Sequence, residues 1–421
     1  MKKIAFICFS ALAFVHTTLQ AQQSYSLEQC RQMAMTQNAQ MRISANKTMI
    51  AKQEKREAAT NFLPSISLAG GAMKADDGLL QIPMGGQTMK MLDEGTFGGA
   101  MVTMPIFAGG KIYYGNKLAK LGVELSELQL RQTRNEVTLT VDQYYWNIVV
   151  LNEKLKTLQH VSALLEKICS DAKAAVDAGI KNRNDLLQVE LRKNETQSAV
   201  IDIQNNIAIC KMLLAQYIGT DMNSFDVQTA VSTELRSPEH LYVNHNERLE
   251  TTVEYQLLSK AVDASKLEKH LNTEQFLPTV ALQGGYLYND FMGPSQNSFV
   301  GMLNVSIPIS WKAPFSVRKY KLRHQNAVTE FNNGSEQLMI RMQKAQIGLS
   351  NAYQQALIAL NSIEQSEENL RLNEQYYKAG TSSMSDLLEA QQLYQQSRDK
   401  YAEAYSKYEI SKTEYLQATG R

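Results

Sequence analysis

Along most of this chain the apolar positions recur at helical spacing, and in a few short stretches they alternate one by one. From Val123 to Ala178 there is no Gly or Pro, and Ile180–Ile218 and Thr381–Thr419 run 39 residues each without either. Such runs predict helices with no internal breaker. A helix from about 111 to 178 would extend roughly 100 Å at about 1.5 Å per residue, longer than any globular core, so it must pack lengthwise against others. Heptad spacing supplies the seam. Leu387, Tyr394, Tyr401, Tyr408 and Tyr415 recur every seven residues, with Ala390, Ser397, Ala404, Ser411 and Ala418 three places on. One seam is large and the other small, which lets neighbouring helices interlock. The earlier helix repeats this with Leu186, Lys193, Val200, Ile207 and Leu214 beside Val189, Thr196, Ile203, Cys210 and Tyr217, so Cys210 reads as a packing residue.

The alternating stretches read as strands. Ile66, Leu68 and Gly70 oppose Ser65, Ser67 and Ala69; Val280, Leu282, Gly284 and Tyr286 oppose Thr279, Ala281, Gln283 and Gly285. Val300 to Ile309 alternates likewise. Period-two patterning gives a sheet one apolar and one small or polar face. At about ten residues per strand this fits a transmembrane β-barrel whose apolar face meets lipid. Four strands cannot close a barrel, so closure would need several chains.

An internal repeat organises these elements. "FLPSISLAGG" at Phe62 returns as "FLPTVALQGG" at Phe276, the segment around Pro105 returns around Pro308, and "AGIKNRNDLL" at Ala178 returns as "AGTSSMSDLL" at Ala379. Two copies are too few for a solenoid and predict two similar halves of one fold. The first half, 22–219, is expected to hold a helix over about 27–61, strands near 64–75 and 97–107, and helices 111–178 and 183–218. The second, 220–421, is expected to hold a linker, a helix over about 239–275, strands near 278–290 and 298–309, and helices 315–378 and 384–419. "MGGQTMKML", Met84 to Leu92, is expected to be a mobile loop, with Asp76, Asp77, Asp93 and Glu94 solvated in it.

Composition narrows the class. With 43 Lys+Arg against 42 Asp+Glu there is no basic footprint for nucleic acid, and at 44% hydrophobic residues the chain is not disordered. Lys2 and Lys3 followed by the apolar run Ile4–Val15 predict a secretory signal peptide over 1–21. No later stretch approaches the length of a membrane helix. Beyond the signal only Cys30, Cys169 and Cys210 remain, widely spaced, which fits neither a disulfide framework nor a zinc site. The six His form no ligand spacing, and "FAGGKI" at Phe107 lacks the rest of a phosphate loop. No catalytic residue, cofactor or metal is expected.

The chemistry is expected where the helices turn. Gly179 and Gly380 suit the left-handed conformation that ends a helix, and Asp185 and Asp386 stand near the start of the returning helices, where a carboxylate meets free N–H groups. Glu389 lies on the same face as Asp386. In several copies around one axis this pair would form acidic rings that attract cations.

Taken together, the two "FLP" blocks, "PIFAGGKIYYGNKLA" at Pro105 and "YKAGTSSMSDLLEAQQLYQQSRDKY" at Tyr377 resemble the TolC family of outer-membrane efflux proteins. The resemblance implies a mainly α fold with a β membrane part: a homotrimer sharing one 12-stranded barrel, four strands per chain, continuous with a long periplasmic helical barrel. It implies a passive exit duct of a tripartite efflux or type I secretion system in the outer membrane of a Gram-negative cell. The partners would be a periplasmic adaptor (membrane fusion) protein, an inner-membrane RND or ABC pump and outer-membrane lipid. It places an aperture at Asp386 and Glu389, a closed-state contact at Asp185, Asn184 and Tyr377, and adaptor-facing tips at Gly179, Ile180, Gly380, Thr381 and Ser382. The family's basic latch residue falls on Ser382, a departure. The alternative is a coiled-coil envelope protein or adhesin anchored by its strands.

Overall fold

In the computed structural model the described residues are 23–76, 80–84, 87–91, 94–221, 225–228, 231–291 and 295–421; the expected signal peptide lies outside them, as do Asp77 and Asp93. The chain divides into two compact units, one of 1–38, 140–235 and 354–410, the other of 39–139, 236–353 and 411–421.

In the first unit a short strand β1 (Gln23–Tyr25) leads into α1 (Leu27–Gln37), whose start is closed by a reciprocal capping box between Ser26 and Gln29. The sequence pattern carries one helix on to about 61, but the structure stops it at Asn38, whose backbone is extended (φ −62°, ψ 133°). The Asn38 side-chain amide donates to the Tyr217 carbonyl at 3.0 Å, a partner 179 residues away that no local pattern shows. The remainder, α2 (Ala39–Thr60), belongs to the other unit.

The second unit carries the larger sheet. Strands β2 (Ser65–Lys74) and β5 (Glu94–Ala108) flank a separate hairpin of β3 (Leu80–Met84) and β4 (Gln87–Met91). The stretch expected as a loop, Met84–Leu92, is therefore largely strand. The long helix α3 (Lys111–Asp177) follows and returns as α4 (Arg183–Ile218), after which β6 (Phe225–Val227) pairs in parallel with β1 in the first unit.

The helix expected over 239–275 is broken. Pro238–Leu241 is a 3₁₀ turn, α5 is only His245–Arg248, Leu249–Thr251 is another 3₁₀ turn, and α6 runs Val253–Glu274. Ser237, Asn244 and Thr252 each accept a nearby backbone N–H with the side chain, restarting the helix three times.

Strands β7 (Thr279–Asn289) and β8 (Gln296–Ser306) complete an antiparallel sheet in the order β2-β5-β7-β8. Strand β8 stops three residues before the expected 309. Its last pair is Ser306 with Thr279, where β7 begins, and Pro308 has no N–H to extend a ladder. Helices α7 (Ala313–Lys378) and α8 (Met384–Ala418) repeat the long hairpin.

The sheet has one apolar face. Register puts Ile66, Val102, Gly284 and Gly301 side by side, then Leu68, Ala100, Tyr286 and Phe299, then Leu282 and Leu303. Leu68 is 81% and Leu303 64% exposed in the single chain. Ser67, Met101, Gly285 and Val300 lie on the other face. Near the base of β5, Pro105 forces a bulge that leaves Ile106 unmatched. No described helix is long and apolar enough to cross a membrane.

The heptad seam of α8 is buried throughout: Leu387, Tyr394, Tyr401, Tyr408 and Tyr415 are each under 8% exposed. In the first unit the guanidinium of Arg31 grips the fully buried Asp142 of α3 through two 2.7 Å bonds. Removing Arg31 would take away the cation that this buried carboxylate is paired with. Burial pushes the Cys30 thiol up to about 12 and raises that of Cys210, so both are packing groups and not nucleophiles.

Candidate functional site

The two hairpin tips of the first unit are built by the same backbone device. At the end of α3, Gly179 takes φ 72°, its N–H donates to Val176 O, and Ile180 N donates to Ala175 O. At the end of α7, Gly380 takes φ 77°, its N–H donates to Tyr377 O, and Thr381 N donates to Tyr376 O. This pair of crossed bonds satisfies the last carbonyls of each helix and requires the left-handed residue that glycine supplies without strain. The tips are exposed; Ile180 stands 76% in solvent.

The two returning helices start differently. In α8, Ser383 Oγ accepts from Asp386 N at 3.2 Å, while Asp386 Oδ2 accepts from Ser383 N at 2.9 Å and from Ser382 Oγ at 3.0 Å. These donors hold the Asp386 carboxyl below the usual carboxylate range. In α4 the equivalent Asp185 receives no such cap; its own N–H donates to Asn182 O at 3.1 Å, and Asn184 is exposed. Glu389 is exposed one turn beyond Asp386.

Beneath the tips lies a core of Val161, Leu165, Ile168, Val189, Leu387 and Tyr394, with Tyr377 packed against it. Polar bonds join α4 to α8 beside this core: Ser385 Oγ donates to Gln188 at 3.3 Å, and Arg192 Nε donates to the fully buried Gln391 at 3.1 Å.

Tyr377 faces a cleft with Asp171, Ala175, Lys181 and Leu387. Its ring is met by Lys181, whose Nζ stands 4.7 Å from the centroid. Burial raises the Tyr377 phenol first, and the charges of Asp185 and Asp171 raise it further. Asp185 thus acts on Tyr377 as a nearby charge. Lys181 is the residue the sequence reading passes over, although its position two places after Gly179 matches Ser382 two places after Gly380. No group of acidic, His or Cys residues able to hold a metal occurs among the described residues.

The chain thus combines a long helical hairpin doubled in sequence with a four-stranded sheet whose apolar face is bare. Residues 30–220 match the family model described as outer membrane efflux protein. Solved structures share the fold over 94% of the chain. The CmeC outer membrane channel of Campylobacter jejuni superposes with a TM-score of 0.81 at 16% identity, covering 94% of this chain and 85% of that one. The outer membrane protein VceC of Vibrio cholerae gives 0.79 at 14%, covering 94% and 96%. The MtrE outer membrane channel of Neisseria gonorrhoeae, solved in its open state, gives 0.77 at 16%, covering 94% and 88%. No curated protein matches the chain by sequence. The resemblance to outer-membrane efflux proteins is borne out by the family model over the first repeat, and the solved structures share the fold across both repeats.

Proposed function

We propose that three copies of this chain form the outer-membrane exit duct of a tripartite efflux or type I secretion system. Each would contribute four strands to one barrel and its long helices to a periplasmic conduit. The observation that carries this reading is the sheet: its apolar face is bare, and its outer strands β2 and β8 have no partner beyond them among the described residues. A neighbour's β2 against β8 removes both edges at once and turns the apolar face outward to lipid.

In this arrangement Asp386 and Glu389 would repeat around the axis as acidic rings, with Asp386 pre-positioned by Ser382 and Ser383. Asp185, Asn184 and Tyr377 would belong to the contact that keeps the aperture narrow. The tips at Gly179–Ile180 and Gly380–Ser382 would meet the hairpins of a periplasmic adaptor, which couples the duct to an inner-membrane RND or ABC pump. Transport is passive in this chain, the driving force coming from the pump.

The test is single-channel recording of detergent-purified protein in planar bilayers, with its oligomeric mass measured in parallel. A three-chain particle with a small cation-selective conductance is expected. Asp386→Ala with Glu389→Ala should lower the cation preference and relieve block by divalent cations. Unchanged selectivity would remove these residues from the pore, and a non-conducting fibre or monomer would favour the adhesin reading.

A further inference from the structure

The duplication makes the two tips comparable position by position, and they differ at one chemically decisive place. Lys181 and Ser382 are equivalent, each two residues after the tip glycine and four before the aspartate of the returning helix. In the second tip Ser382 is spent locally, its hydroxyl donating to Asp386 at 3.0 Å. In the first tip Asp185 has no such donor from its own turn, and Lys181 lies over the ring of Tyr377. Both partners are fixed at the backbone. Lys181 N donates to Ala175 O at 3.2 Å, within the turn that Gly179 creates, and Tyr377 O accepts from Gly380 N at 3.1 Å, within the other turn. The side chains therefore join two capped turns that are almost 200 residues apart in sequence. Lys181 and Tyr377 are both partly buried, and a cation–π contact gains strength as it loses exposure to solvent. Asp171 and Asp185 lie close enough to add negative charge around the same group.

We infer that Lys181 is the positioning residue of the closed duct: its cation–π contact with Tyr377 ties the first tip to the second, supplying from the first repeat the basic group that the second repeat lacks at Ser382. This deepens the duct reading and rests on it. The ring face, and not the phenol hydroxyl, carries the tie, so the two groups of variants separate it from a hydrogen-bonded latch.

Lys181→Met keeps the apolar stem and removes the charge; Tyr377→Leu removes the ring. Each should raise the open probability in planar bilayers about twofold to fivefold if one tip opens alone, and about tenfold to a hundredfold if three chains open together. The double variant should do no more than either single one, while Lys181→Arg and Tyr377→Phe should behave as wild type. Amide hydrogen exchange on the full-length protein in detergent gives a readout independent of conduction: Lys181→Met should speed exchange at both 178–185 and 377–384. The inference is overturned if Lys181→Met leaves conduction unchanged, if Tyr377→Phe opens the channel as much as Tyr377→Leu, or if exchange rises only in the first tip. Should wild-type protein not conduct, the duct reading fails, and exchange alone decides whether Lys181 joins the tips.

Discussion

Two aspartates on α8 show how one residue type is given opposite tasks. Asp386 is exposed and held ionised by the donors of its own turn, so its contribution to stability is present at neutral pH and is lost as pH falls through its lowered pKa. Asp399 is the reverse. Burial pushes its carboxyl up to about 6, against the pull of Lys154 and with help from Glu403, and its Oδ1 has no hydrogen-bond partner. A carboxyl whose folded pKa lies above its unfolded value of about 4 favours the fold only while protonated. That contribution is complete below about pH 4 and is lost as pH rises through about 6. Asp399→Asn should therefore raise the melting temperature of the purified protein at pH 7.5 and leave it unchanged at pH 4; an equal gain at both pH values would refute the assignment. At this scale the sequence is partly legible. The aspartates at 185 and 386 stand out through the repeat, yet the cap around one and the lysine-on-tyrosine contact beside the other depend on side chains that meet only after the hairpins pack.

Among elements, the glycine that ends each long helix matters for different reasons. A Cβ at Gly179 or Gly380 would meet nothing within 4 Å, so alanine there pays only for the left-handed backbone, about 1–2 kcal/mol. At Gly219, which ends α4 at φ 72°, the same Cβ would lie 2.6 Å from Cβ of Gln37 at the end of α1. Gly219→Ala should lower the denaturation midpoint clearly more than Gly179→Ala, and Asn should rescue position 179 but not 219; equal losses would mean that α1 yields freely. Long helices were readable because nothing interrupts their heptads, and the strand starts because Pro64 and Pro278 punctuate a change of period. The breaks at Asn38 and between Pro238 and Thr252 were not. The first is fixed by a carbonyl of a distant helix, and the second by caps whose residues also occur inside helices. The parallel β1–β6 ladder, three residues on each side, is too short to leave any periodic trace.

For the whole molecule the alternation of the sheet becomes a test of the proposed membrane orientation. Leu68 is on the apolar face and its neighbour Ser67 on the other. Leu68→Lys should cost about 2–4 kcal/mol if it lies near the bilayer midplane and should reduce the yield of assembled protein in outer-membrane fractions. Ser67→Lys should assemble normally and alter conductance. The opposite ranking would turn the sheet inside out. The fold was legible at this scale because duplication, helix length and alternation all point the same way, whereas the number of chains around an axis is a property no single chain's pattern contains.

The unpaired strands β2 and β8 also impose a timetable. Each helical hairpin can form from neighbouring stretches of chain soon after synthesis, but in the proposed trimer closure of the barrel must wait for other copies to arrive. In that interval the protein carries two sticky edges and a greasy surface, the combination most prone to misassociation. Biogenesis of the proposed duct would then be limited by encounter between chains and not by folding of any one of them, so its yield should depend on how fast the chain is made.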